Sequence, residues 1–182
     1  MASSPTYPTR KDGIVVPARS KANIAENALV LRKVLGLEHH PKFPVVEVYE
    51  VLDLIIPGAR FEVREERELG DDHGRTYPDR NLILIREDVY IRACEGEARD
   101  RFTMCHELGH LMMHRNVALS RIDPKNPPKI FRNSEWQADT FASHLMMPSY
   151  LIGQYETLYQ VVNTFGVSQE AAWARRSELK NA

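Results

Sequence analysis

Residues 106 to 110 read His106-Glu107-Leu108-Gly109-His110, and this spacing constrains the chain more than any other stretch. On a helix the two histidines are separated by about 400° of rotation and roughly 6 Å of rise, so their imidazoles share a face. One tetrahedral Zn²⁺ can accept a nitrogen from each. Glu107 lies about 100° round the helix from His106, beside such a metal rather than on it. A carboxylate there can take a proton from an activated water and pass it to a leaving amine. The pentapeptide by itself also fits an ordinary amphipathic helix. Its chemistry therefore depends on a third protein ligand, because catalytic zinc usually takes three protein groups and keeps one position open.

The region just downstream does not supply that ligand. A metzincin would place a Gly three residues after the second His and a third His six residues after it, where this chain has Met113 and Asn116. His114 lies two turns, roughly 12 Å, from His106 along the helix axis. It reads instead as a helix-end cation near the C-terminal dipole, or as a packed residue. The segment Ser134 to Pro148 is better suited. Glu135 and Asp139 are one helical turn apart and share a face, while Trp136, Phe141 and Leu145 turn the helix into a core. Glu135 is the expected third ligand, and Asp139 the carboxylate that holds the free N–H of a ligand imidazole. The plain alternative is a surface carboxylate pair.

With both segments in view, the sequence resembles the ImmA/IrrE family of metallopeptidases. The shared residues are Arg101-Phe102-Thr103 leading into His106-Glu107-Leu108-Gly109-His110-Leu111 and His114. They continue with Glu135, Gln137-Ala138-Asp139, Phe141-Ala142 and Leu145-Met146-Met147-Pro148. The family generally has Glu at the place of Gln137, Asn at that of Asp139 and Ala at that of Cys105, and none of these departures removes a ligand. The resemblance implies an α+β, zincin-like fold, with a small, mostly antiparallel sheet packed against helices that include those carrying the His-Glu-x-x-His motif and the Glu ligand. It implies one Zn²⁺ in a gluzincin-type site: His106, His110 and Glu135 as ligands, Glu107 as the catalytic base, Asp139 behind the ligands. It also implies an endopeptidase acting on a cytoplasmic helix-turn-helix repressor. The competing expectation is a zinc-containing module that sequesters such a partner without cutting it.

The rest of the chain is consistent with a single small domain. A formal net charge of −1 argues against nucleic-acid binding by bulk electrostatics. Two cysteines, Cys94 and Cys105, do not make a disulfide framework, and a thiol within the motif helix behaves as a small hydrophobe. No targeting segment or apolar run long enough to span a bilayer is visible, so a cytoplasmic, membrane-free protein is expected. Residues 1–17, punctuated by Pro5, Pro8 and Pro17, read as a disordered lead. Residues 18–148 read as the peptidase domain and 149–182 as a helical extension packed on it.

Within that domain Ser20 caps a first helix that Gly36 stops, and Pro44 opens a second that Pro57-Gly58 ends. Phe61 and Val63 mark a half-exposed strand in an acidic block, and residues 81–86 a covered strand. Either 75–78 or 81–86 is the strand that presents its backbone to an extended substrate. His73 and Tyr77 are candidates for stabilising an oxyanion, with an ordinary turn His and half-buried Tyr as the alternative. The proline-rich, basic connector 115–132 is expected to lack regular elements.

Overall fold

The computed structural model describes residues 13–117 and 120–180. In chain order its elements are strand β1 (Ile14–Val15) and helices α1 (Lys21–Val34), α2 (Val45–Glu50) and α3 (Leu52–Ile55). Strand β2 (Arg60–Arg64), the single turn α4 (Glu66–Leu69), and strands β3 (Gly74–Tyr77) and β4 (Leu82–Arg86) follow. Next come α5 (Glu87–Glu95), α6 (Ala98–Met113), strand β5 (Ser120–Arg121) and α7 (Ser134–Met146). The chain closes with α8 (Ser149–Ile152), α9 (Leu158–Phe165) and α10 (Gln169–Lys180). This is an α+β fold of the zincin-like kind. Among the described residues no helix is long and apolar enough to cross a membrane.

The main sheet has the order β2-β4-β3. Strand β4 is central, parallel to β2 with Arg60 opposite Leu82, and antiparallel to β3 with Gly74 opposite Ile85. Its sequence, Leu82-Ile83-Leu84-Ile85, is apolar on both faces because both are covered, and Ile83 and Ile85 are fully buried. That leaves β3 as the edge strand beside α6. Of the two segments that compete for a substrate-presenting role, only the one overlapping β3 has an edge left unpaired among the described residues.

Helix α6 is the centre of the molecule. Met104, Cys105, Leu108 and Leu111 are wholly buried, between α7 on one side and the sheet on another. The approach of α7 is set by Gly109. A Cβ there would lie 3.0 Å from Cδ1 and 3.3 Å from Cβ of Phe141, so any larger residue would push the two helices apart. Helix α7 is held at both ends. Asn133 caps its start by accepting the N–H groups of Glu135 and Trp136. At its far end the buried Arg32 donates from Nε to Leu145 O at 2.7 Å, and Arg175 donates to Met147 O at 3.1 Å.

Four expectations need correction. The lead expected over 1–17 lies outside the described residues for 1–12, but 13–17 are ordered. Ile14 and Val15 pair with Arg121 and Ser120, and Val16 is 1% exposed. The β-branched run Ile14-Val15-Val16 carried that signal, and the flanking prolines obscured it. The connector 115–132 is likewise not without regular structure. It supplies β5 and a 3-10 turn, Ile130–Arg132. The second helix is broken into α2 and α3 at Val51, where φ is −112°, in a stretch whose β-branched valines have little helix propensity. Pro44 is its N-cap rather than its first residue. Finally, the acidic block is not only a strand and loop, since Glu65 and Glu68 close a capping box over α4.

Candidate metal centre and active site

Helix periodicity puts His106 and His110 on one face of α6, and the Gly109–Phe141 contact brings Glu135 of α7 against them. Nε2 of His106 and Nε2 of His110 are 2.9 Å apart. Each is 3.3 Å from a carboxylate oxygen of Glu135, His106 facing Oε2 and His110 facing Oε1. One ligand atom from each of the three lies within 4.8 Å of the others, a separation that one small cation can bridge. Behind His106, Asp139 Oδ1 is 2.8 Å from Nδ1. That hydrogen bond puts a proton on Nδ1 and turns Nε2 toward the cluster.

The electrostatics of this cluster suit a metal. Oε2 of Glu135 is buried and receives no well-aligned hydrogen bond, an arrangement that costs free energy unless a cation meets the oxygen. Burial raises the Glu135 carboxyl, but the pull of His106 and His110 outweighs it and holds the group well below the usual carboxylate range. Burial lowers His106, yet Asp139 and Glu135 more than offset this and bring it to about 9. Two imidazoles and one ionised carboxylate form a donor set appropriate to Zn²⁺, so the residues fit the group.

Glu107 is 3% exposed and points from α6 toward β3. The Thr76 hydroxyl is 2.7 Å from its Oε2 and 3.0 Å from its backbone carbonyl. At Gly74 a Cβ would come within 2.8 Å of Glu107 Cγ, so the strand can lie this close only because the residue is glycine. Gly74 and Thr76 therefore share the β3 face that meets α6. Their backbone groups also point to the open edge. Arg86 N donates to His73 O, which makes 73, 75 and 77 the residues bonded to β4 and leaves 74 and 76 directed outward. A cleft runs along this edge, lined by Gly74, Thr76, Glu107, His110, Ser134 and Glu135.

The sequence profile of the peptidase M78 family, described as the IrrE N-terminal-like domain, matches residues 60–177. The chain belongs to this family. No curated protein matches the sequence. Membership of peptidase M78 bears out the ImmA/IrrE resemblance and supports a metallopeptidase role. The matched span runs from β2 into α10 and so contains every residue of the cluster.

In this M78 chain the two oxyanion candidates, His73 and Tyr77, fall outside the cleft. Tyr77 is hydrogen-bonded with Arg75, on the β3 face opposite Thr76. His114 is not a helix-end cation. It is 3% exposed, and burial, with His110 beside it, lowers it to about 3, so it is neutral and packed. Its Nδ1 is 3.0 Å from His110 Nδ1 and its Nε2 is 3.1 Å from Gln137 Oε1. Burial pushes the Cys105 thiol up to about 12, which makes it a packing residue. His144 contacts Arg175, with Nη2 2.9 Å from Nδ1, far round α7 from Glu135. Arg101, from the motif's leading residues, donates to the Phe43 and Gly166 carbonyls and ties α6 to α9. Sequence reasoning missed Thr76 and Gly74. A threonine and a glycine in a strand carry no signal of their own, and only the packing of β3 on α6 gives them a role.

Proposed function

We propose that the chain is a zinc-dependent endopeptidase in which His106, His110 and Glu135 hold the metal and Asp139 orients His106. A bound Zn²⁺ would act as a Lewis acid, acidifying the attacking water and polarising the scissile carbonyl. Glu107 takes the proton of that water and delivers it to the leaving amine. Thr76 holds the Glu107 carboxylate in place. An extended substrate adds antiparallel to the open edge of β3, bonded to the backbone of Gly74 and Thr76. The observation that carries this reading is the Thr76–Glu107 hydrogen bond. It joins the free-edge strand to a general base that neighbours the two metal-ligating histidines in sequence. A purely structural zinc site has no use for such a base.

The substrate proposed is a cytoplasmic helix-turn-helix repressor, on the strength of the family resemblance, with no direct nucleic-acid contact and no membrane. The test uses a Glu107→Gln variant as bait in the native cell. The captured protein is then incubated with wild-type protein and Zn²⁺ and weighed intact. Two fragments summing to the partner plus one water, absent with Glu107→Gln or chelator, are expected. A partner that stays bound and whole under all conditions refutes proteolysis and leaves a sequestering module.

A further inference from the structure

His114 lies against His110 on the side away from the cluster, and the neighbours of each nitrogen decide which one carries the proton. Gln137 is wholly buried. Its Nε2 lies 2.9 Å from Pro17 O and 2.8 Å from Phe131 O. Backbone carbonyls only accept, so the amide must present its NH₂ group to them, and its orientation is fixed. Oε1 then faces His114 Nε2 at 3.1 Å, and an amide oxygen only accepts, so His114 carries its proton on Nε2. A neutral imidazole has one N–H, which leaves a lone pair on His114 Nδ1. That lone pair meets His110 Nδ1 at 3.0 Å, so His110 must donate from Nδ1. The lone pair of His110 is thereby assigned to Nε2, the atom directed at His106 and Glu135.

We propose that His114 and Gln137 are positioning residues. They form a relay from the main-chain carbonyls of Pro17 and Phe131 to His110, and it selects the His110 tautomer that can bind a metal. The relay does for His110 what Asp139 does for His106, with a neutral chain in place of a carboxylate. It also explains why an imidazole two turns beyond the first ligand, too distant along the axis to bind the same ion, is kept buried. The end of the relay remote from His110 is anchored on Pro17, before α1, and on Phe131, in the 3-10 turn ahead of α7. The segment 13–17 and the connector thus contribute to the centre without touching a metal. The inference rests on the proposed His106-His110-Glu135 site, since only there does the tautomer of His110 matter.

The test measures Zn²⁺ affinity by competition with a chromophoric chelator for wild type, His114→Asn and His114→Leu. The fold of each variant is checked by circular dichroism. The Asn Oδ1 takes the place of the His Nδ1 as an acceptor, whereas Leu fills the space and accepts nothing. The expected order is wild type, then Asn within a few-fold, then Leu weaker by about 10- to 100-fold, the usual cost of losing such a partner. If His114 only packs, the two variants bind Zn²⁺ alike and differ in stability alone, since a buried Asn amide is costlier than a Leu. Long-range ¹H–¹⁵N spectra of histidine-labelled wild-type protein, with the His114 signal assigned by its loss in His114→Asn, read the tautomer directly. Nε2–H on His114 and Nδ1–H on His110 are expected. An Nδ1-protonated or doubly protonated His114 at pH 7 overturns the relay. Failure of the wild type to bind Zn²⁺ sinks the metal reading instead, and the His114 tautomer still decides the relay.

Discussion

Gly74→Ala is the sharpest perturbation of the proposed general base that leaves the base itself in place. The new methyl group would sit 2.8 Å from Glu107 Cγ and 3.2 Å from both Cδ and Oε1. Comfortable carbon contacts lie at about 3.5–4.0 Å, so something must move by roughly 0.7 Å. Helix α6 is enclosed by fully buried neighbours and cannot yield. Either the Glu107 side chain swings away or the edge strand β3 retreats, and each route breaks the 2.7 Å Thr76–Glu107 hydrogen bond. Without a clash, replacing Gly by Ala at a compatible site stabilises a protein by about 0.4–1 kcal/mol through the unfolded chain. With one, overpacking costs about 1–3 kcal/mol, so the sign of the change is diagnostic. A displacement of this size at a reacting group costs about 10²-fold in rate. Metal binding should be spared, because Glu107 is not a ligand. Urea unfolding, Zn²⁺ stoichiometry and turnover of the captured partner measure the three quantities. A Gly74→Ala protein as stable as wild type and turning over at its rate would refute the argument that this close approach holds the base.

Three further outcomes follow from the structure. His106 at about 9 holds a proton at neutral pH that a metal must expel, so Zn²⁺ uptake at pH 7 should release about one proton per site from it. Calorimetry in two buffers of different ionisation enthalpy reads this, and equal heats in both would contradict it. Burial and Arg175 lower His144 from its ordinary value to about 4, with Glu178 and Lys21 the other charges around it. The unfolded chain therefore binds this proton first. The associated stability is whole above about pH 6.5 and lost as pH falls toward 4, by roughly 2 kcal/mol after allowing for partial exposure. His144→Gln should flatten the pH dependence of urea midpoints between pH 7 and 5, and an unchanged slope counts against it. Arg32, wholly buried, donates to the carbonyls of Leu145, Leu37, His40 and Pro41 at 2.6 to 3.2 Å. Arg32→Met strands all four and should cost about 3–5 kcal/mol in urea unfolding, and a loss below about 1 would show that water replaces the guanidinium.

The parts of the centre that were legible in the sequence are those whose geometry is local. His106 and His110 share a face because a helix repeats every 3.6 residues, and Glu135 and Asp139 share one for the same reason. The covered strand was readable from its unbroken apolar run, and the start of α1 from Ser20. The N-terminal strand was missed because two residues pairing with a distant loop leave almost no local pattern, and three prolines nearby point the other way.

The sequence by itself determined the donor types, their spacing and the carboxylate of Glu107 beside them. The tertiary structure alone decided that α7 lies close enough to α6 for Glu135 to join the histidines, because that distance is set by Gly109 against Phe141. It alone decided that β3, not β4, has the free edge, because strand order is a long-range outcome. Thr76 takes its role from Glu107, 31 residues away, Gly74 takes its role from the same side chain, and His114 and Gln137 meet across 23 residues. A proton's place on an imidazole depends on what faces the other nitrogen, and only the folded chain brings that partner into reach.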